Sequence, residues 1–234
     1  MSDKKLRIVS FSDAHGLHDD IVMPNADIAI FSGDAGTYRS PYNNESSILS
    51  FIDWYASIKN VKHKIWIAGN HCTSIEHGLV DAKKISEEKG LIYLQHDSIE
   101  VEGLKIFGSP YTPTFGYGWA FNKDRGESIK KYWDEIPMDT EIIVVHGPPY
   151  GIHDTVLNGD QVGCKDLLDK VKTIDGLKLV QFGHIHEDYG HSVIDGVHYA
   201  NASVLNVRYK LVNKPFVFEV DENKNFKLID DGNV

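Results

Sequence analysis

Five short segments of this chain hold residue types able to bind metal or move protons. They are Asp13-Ala14-His15, Gly33-Asp34, Gly69-Asn70-His71, His146-Gly147-Pro148-Pro149 and Gly183-His184-Ile185-His186. Each sets Asp, Asn or His beside small residues, and each follows a short apolar run. Asp13, His15, Asp34, Asn70, His146, His184 and His186 offer seven oxygen and nitrogen donors, with His71 to spare. Seven exceeds what one tetrahedral zinc takes. It suits two divalent ions sharing a bridging carboxylate, which clamp both sides of a displacement at phosphorus.

Taken singly, each segment has a plainer reading. Asp13 and His15 stand two apart, so continued extension would aim both at one ion; the alternative is a turn with a capping Asp. Gly33-Asp34 puts a carboxylate on a loop tip where it can bridge two cations, yet Gly-Asp is also a common turn. Asn70 offers a neutral oxygen that limits the total negative charge, and His71 beside it can stay off the metal and act on substrate. His146 precedes a rigid Pro-Pro loop. His184 and His186 repeat the two-apart spacing and form the strongest single pair. Turns explain any one segment but not all five, each at the end of an apolar run.

Those runs are the elements that must position the donors. Ile8–Phe11, Ile28–Phe31, Ile65–Ala68, Ile142–Val145 and Leu179–Phe182 are short, continuous and β-branched, as strands covered on both faces should be. Helical periodicity predicts helices over 45–58, with Ile48, Phe51, Ile52 and Tyr55 on one face, and over 76–89, 124–134 and 163–172. Runs at 191–194, 197–200, 215–220 and 226–229, with turn signals at Asp195-Gly196 and Glu222-Asn223, predict antiparallel strands. The expected fold is a layered α/β domain over 1–234, two sheets face to face with helices outside. Every donor segment then falls at the C-terminal end of a strand, where such sheets bind ligands.

Composition narrows the function classes. The net charge of −10 disfavours binding to long nucleic acid, although a small anionic substrate can still meet a bound cation. No apolar stretch is long enough to span a membrane, and the opening residues lack the apolar core of a signal peptide. The two cysteines, Cys72 and Cys164, are too few for a disulfide scaffold, so a reducing cytoplasmic setting is expected. Seven further histidines (His18, His63, His77, His96, His153, His191 and His198) read as surface or hydrogen-bonded structural groups.

The order Asp-x-His, Gly-Asp, Gly-Asn-His, His, Gly-His-x-His resembles the calcineurin-like metallophosphoesterases across nearly the whole chain. Gly108-Ser109-Pro110-Tyr111-Thr112-Pro113, Val162-Gly163-Cys164, Glu187 after His186 and Asn201-Ala202-Ser203 narrow it. They are similar to the vertebrate metallophosphoesterase-domain-containing brain proteins and their bacterial relatives, class III cyclic-nucleotide-type phosphodiesterases. The resemblance implies a β-sandwich of two mixed sheets flanked by helices. It implies that Asp13, His15 and His186 hold one metal, that Asn70, His146 and His184 hold a second, that Asp34 bridges them, and that His71 faces the leaving-group oxygen.

The function so expected is hydrolysis of a phosphodiester, of small nucleotide type, by metal-hydroxide attack with protonation of the leaving group by His71. The alternatives are a phosphomonoesterase or nuclease on the same metals, or a non-enzymatic interaction protein on this fold. The mixed donors suit Mn, Fe, Co, Ni or Zn, with Mn favoured. Two departures from the family stand out. Cys72 follows Asn70-His71 where an acidic residue is usual, and packing is the common role of a free cysteine. After Gly33-Asp34 the chain reads Ala35-Gly36, where phosphatase relatives carry Asp-Arg, and Arg39 is not in that place; this favours a diester. Tyr111, Phe115, Tyr117, Trp119 and Phe121 could stack a nucleobase or plug the core.

Overall fold

The computed structural model describes residues 5–37 and 40–230. In chain order the strands are β1 (Leu6–Phe11), β2 (Ala26–Phe31), β3 (Val61–Trp66), β4 (Ile92–Tyr93), β5 (Asp97–Val101), β6 (Leu104–Ser109), β7 (Thr112–Pro113), β8 (Asn122–Lys123), β9 (Ile142–Val145), β10 (Leu179–Phe182), β11 (Gly190–Ile194), β12 (Val197–Asn201), β13 (Phe216–Val220) and β14 (Phe226–Asp230). The helices are α1 (Pro41–Ser57), α2 (Thr73–Glu76), α3 (Ala82–Glu88), α4 (Glu127–Asp134) and α5 (Lys165–Val171). One six-stranded sheet runs β14-β13-β1-β2-β3-β4, the other β11-β12-β10-β9-β6-β5, and β7 with β8 forms a small ribbon. Each large sheet has four parallel strands, β1 to β4 in one and β12, β10, β9 and β6 in the other, finished by antiparallel edge strands.

Strand alternation sorts the apolar residues into three layers. Ile8, Ile28, Ile30, Ile65, Ile142, Val144 and Leu179 point between the sheets. Val9, Phe11, Phe31 and Trp66 point the other way, onto Ile48, Phe51, Ile52 and Tyr55 of α1. Ile143, Val145, Val180 and Phe182 meet Ile129 and Trp133 of α4 and Leu167 and Val171 of α5. Both faces of each parallel core are thus covered, which is why those strands read as unbroken apolar runs. The result is the expected α/β sandwich flanked by helices. A polar tie crosses the two sheets beneath the strand ends. The Gln181 Nε2 amide donates to the Ile30 carbonyl (2.8 Å) and lies within reach of the Ser32 hydroxyl (3.2 Å) and the Phe11 carbonyl (3.3 Å).

Several elements differ from the sequence expectation. The helix expected over 76–89 is confined to Ala82–Glu88: α2 ends at Glu76, Gly78 takes a left-handed φ of 70°, and Asp81 starts the helix by accepting the Lys84 N–H. The strand expected over 65–68 lies at Val61–Trp66 instead; its first half, Lys62-His63-Lys64, is polar and gave no apolar signal. The β5–β6 hairpin, turning at Glu102-Gly103, was not expected, because Asp97, Ser98 and Glu100 leave β5 largely solvent-facing. The four C-terminal runs are strands in two antiparallel pairs, but the pairs join different sheets and β12 lies parallel to β10.

Candidate active site

All five donor segments follow C-terminal ends of parallel strands, β1, β2, β3, β9 and β10, so they converge at one end of the sandwich. The loops are tied to each other directly. Asp13 N–H donates to the Gly33 carbonyl at 2.9 Å and His15 N–H to the Asp34 carbonyl at 3.0 Å. The expectation of an extended Asp13-Ala14-His15 is corrected here. Asp13 (φ 57°) and His15 (φ 39°) are left-handed, as are Asp34 (62°) and His184 (69°). Side chains reach the cluster because the backbone curls, and four strained residues at one place mark a site held by its surroundings.

Two glycines permit the close approach. A Cβ on Gly69 would stand 2.3 Å from Asp34 Oδ1, and one on Gly183 would stand 2.1 Å from Asp13 Oδ2. The residues after them use that proximity: His71 N–H donates to Asp34 Oδ1 at 2.7 Å, and His184 N–H to Asp13 Oδ2 at 3.0 Å. The carboxylates are therefore aimed by backbone donors from the segments beside them.

The cluster sorts into three overlapping groups whose donor atoms lie within 4.8 Å of one another: Asp13, His15 and His186; His15, Asp34 and His71; Asp34, His146 and His184. Asn70 joins the last through its Oδ1, 2.8 Å from His146 Nε2. All eight candidate residues are thus brought together. His184 and His186, two apart in sequence, go to different groups. So do the adjacent Asn70 and His71: Asn70 meets His146, whereas the His71 ring lies 4.5 Å from that of His15.

The hydrogen positions decide what this cluster can hold. The Nδ1 atoms of His15, His146 and His186 face the carbonyls of Gly36 (3.1 Å), Ser32 (2.9 Å) and Asn206 (3.2 Å). A carbonyl only accepts, so each Nδ1 carries a hydrogen, and in the neutral ring Nε2 presents a lone pair. Those lone pairs face further acceptors. His146 Nε2 meets Asn70 Oδ1 and, at 3.2 Å, Asp34 Oδ2; His186 Nε2 meets Asp13 Oδ1 at 3.3 Å and His15 Nε2 at 3.3 Å. Among the described residues the ion-pair partners of Asp13 and Asp34 are histidines only, and both carboxylates are buried. Buried acceptors facing acceptors need a proton or a metal cation between them, and the donor set fits divalent metal.

The electrostatics agree. Burial pushes the Asp13 and Asp34 carboxyls up, but the histidines beside them (His186 for Asp13, His146 and His71 for Asp34) outweigh it and hold both below the usual carboxylate range. Burial lowers His15 to about 4 and His184 to about 3. His146 is raised to about 9, against its burial, by the Asp34 carboxylate, and His186 is raised by its bond to Asp13. Protons on His146 and His186 stand where a cation's charge would serve both carboxylates.

Cys72 is fully buried, and its Sγ accepts the Gly69 N–H at 3.3 Å. Burial pushes the thiol up to about 12, so it is a neutral packing group. Arg39 lies outside the described residues. The aromatic loop divides: Phe121 is buried and Tyr111 packs on Tyr132, whereas Phe115 and Trp119 stay at the site. Tyr209, which sequence reasoning missed, lies 4.8 Å from the His15 ring and 5.2 Å from His186. Its only sequence signal is the turn-forming Asn206 shortly after Asn201-Ala202-Ser203.

Comparison with known proteins matches residues 6–188 to the family described as calcineurin-like phosphoesterase. The chain is 35% identical over 241 residues to human metallophosphoesterase domain-containing protein 1, spanning 94% of this chain and 72% of that protein, and equally to the mouse protein of the same name. Among solved structures, TT1561 of Thermus thermophilus shares the fold with a TM-score of 0.57 at 12% identity, covering 96% of this chain and 98% of that one. This chain belongs to the calcineurin-like phosphoesterase family.

Proposed function

We propose that this protein is a divalent-metal-dependent phosphodiesterase acting on a small nucleotide-type diester. Phosphoester hydrolysis is what the family suggests. The observation that carries the reading is the convergence of three histidine lone pairs on buried carboxylate and amide oxygens with no Lys or Arg ion-paired to those carboxylates among the described residues. Asp13, His15 and His186 would hold one ion, Asn70, His146 and His184 a second, and Asp34 would bridge them. When bound, such ions supply a water of lowered pKa and positive charge at phosphorus.

The chain's own groups do the rest. The Nδ1–H bonds to the Gly36, Ser32 and Asn206 carbonyls fix the ring orientations of His15, His146 and His186. His71 is almost buried, and among the described residues its Nδ1 has no hydrogen-bond partner. A polar atom left unpaired at such a site suits contact with substrate, and we assign His71 to protonating the departing oxygen. Ala35-Gly36, in place of the phosphatase Asp-Arg, supplies no guanidinium for a phosphomonoester dianion. Among the described residues no helix is long and apolar enough to cross a membrane, and both cysteines are free; we read the compartment as cytoplasmic.

The test compares kcat/KM on bis-p-nitrophenyl phosphate and p-nitrophenyl phosphate after chelation and reloading with Mn²⁺. Activity should vanish on chelation, return with metal and favour the diester. A monoester preference of tenfold or more, about 1.4 kcal/mol in transition-state binding, would replace this reading with a phosphomonoesterase.

A further inference from the structure

The histidines of the site carry an outer row of aromatic rings that none of the roles above uses. On one side Trp119 lies 4.6 Å from the His71 ring and Phe115 4.9 Å from His184. Those two rings are stacked on each other, 5.6 Å apart at 23°. On the other side Tyr209 faces His15 and His186. Rings of this size ordinarily go to the core, as Phe121 from the same loop does. Here Phe115 stays 36% and Tyr209 50% exposed, so their faces line the approach to the cluster.

Tyr209 is also held there against local preference. Its φ of 54° is uncommon for a bulky residue. The turn around it enforces that conformation. Asn206 Oδ1 accepts the N–H groups of Arg208 (2.9 Å) and Lys210 (3.2 Å), and the Asn206 carbonyl accepts the Tyr209 N–H (2.8 Å). That same carbonyl accepts Nδ1–H of His186. The group that orients His186 therefore also fixes the ring beside it. Strain stabilised by its surroundings at a site points to a working role for the residue.

We propose that Trp119 and Tyr209 are specificity-determining residues, two stacking walls that receive a planar aromatic group, a nucleobase, carried by the diester. The inference rests on the phosphodiesterase reading. Stacking suits this protein because a neutral ring is not repelled by a chain of net charge −10, whereas a second phosphate would be. It needs no hydrogen-bond code, so any base is accepted.

The experiment uses two diesters with the same leaving group and charge, the p-nitrophenyl ester of thymidine 5′-monophosphate and methyl p-nitrophenyl phosphate, on the Mn²⁺-loaded protein. The ratio of their kcat/KM values should favour the nucleotide ester. Tyr209→Ala and Trp119→Ala should each lower that ratio, roughly 5-fold or more, the low end for one base stacked on one ring, mainly through KM. Tyr209→Phe, which keeps the ring, should restore it. Equal losses on both esters would make the rings structural supports of the histidines and overturn the proposal, as would an unchanged ratio. Should the wild type cleave neither ester, the diesterase reading fails on its own. The walls are then judged by calorimetric binding of adenosine 5′-monophosphate against ribose 5-phosphate. Tighter binding of the former that is lost in Tyr209→Ala supports them, and equal affinities refute them.

Discussion

Two groups of histidines in this molecule sit among aromatic rings and obey opposite rules. His191 on β11 and His198 on β12 meet Nε2 to Nδ1 at 2.9 Å, and His198 Nε2 meets the Phe226 carbonyl at 3.1 Å. The carbonyl places a hydrogen on His198 Nε2, so its Nδ1 accepts and His191 Nε2 donates. Every contact holds one hydrogen, and Phe216, Phe218 and Phe226 pack around the closed pair. At the strand ends, His15, His146 and His186 have spent their one hydrogen on carbonyls, and what they face also lacks one. The pair is half-buried, whereas His15 and His146 at the site are buried, yet both sets lie against aromatic rings. What separates a self-satisfied pair from a cation site is whether the donors run out.

The largest effect should come from Asp34, the carboxylate common to two of the three donor groups. Asp34→Ala should lower kcat/KM by roughly 10⁴-fold or more, about 5 kcal/mol, and elemental analysis should show both ions lost. Asn70→Ala should mainly weaken one. His191→Gln keeps a donor for His198 and should leave metal content and turnover as they are. Equal metal stoichiometry in Asp34→Ala and Asn70→Ala would remove Asp34 from the bridging role.

Next in size is the stabilisation by metal. If the cation relieves the facing acceptors, it binds the folded chain far better than the unfolded one. Metal at a thousandfold its Kd adds about 4 kcal/mol, roughly 10 °C in Tm for a chain of this length. Calorimetry should show the rise in the wild type and in His191→Gln, and its absence in Asp34→Ala. A wild-type Tm that Mn²⁺ and Zn²⁺ leave unmoved would show that protons on His146 and His186 already satisfy the cluster.

His71 tests the boundary between the two rules, because its Nδ1 is unpaired among the described residues although its ring lies in the cluster. His71→Ala should keep both ions and lose roughly 10²–10⁴-fold in kcat, the range of a positioned general acid. The loss should be smaller with a nitrophenolate leaving group, which hardly needs a proton, than with an alkoxide. Depletion of metal in the variant, or equal loss on both leaving groups, would make it a ligand or a positioning group.

The sequence showed the layered α/β fold and the strand ends carrying the donors because fully covered parallel strands leave unbroken apolar runs, as in Ile142–Val145. The strand at Asp97–Val101 stayed hidden, since a solvent-facing edge strand leaves no such run. The site was legible as residue types, because Asp, Asn and His recur at the ends of those apolar runs. Its geometry was not. The left-handed turns at Asp13 and His15 depend on the Gly33 and Asp34 carbonyls of another loop. Tyr209 arrives from a turn set by Asn206, far from any donor in sequence. Which histidine nitrogen is free depends on carbonyls elsewhere in the chain, and residue type cannot encode that.

The smallest effect concerns the closed pair and isolates what lacking a cation partner means for a half-buried histidine. Burial and the neighbouring His198 lower His191 from 6.5 to about 4, and burial lowers His198 as well. A histidine depressed in the folded state contributes its full stability above its unfolded pKa. As pH falls below 6.5 the unfolded chain gains a proton that folded His191 refuses, so stability drops until about pH 4 and then levels. The shift sets an upper bound near 3 kcal/mol, which access to solvent reduces to about 1 kcal/mol. Urea unfolding in chelator, where proton–metal competition at the site is removed, should show the wild type losing about that amount relative to His191→Gln from pH 7 to pH 4. Gln keeps the N–H for His198 Nδ1 and does not titrate, so the difference belongs to the proton alone. Parallel curves across that range would mean that His191 takes its proton in the folded state, and the pair would then be open rather than closed.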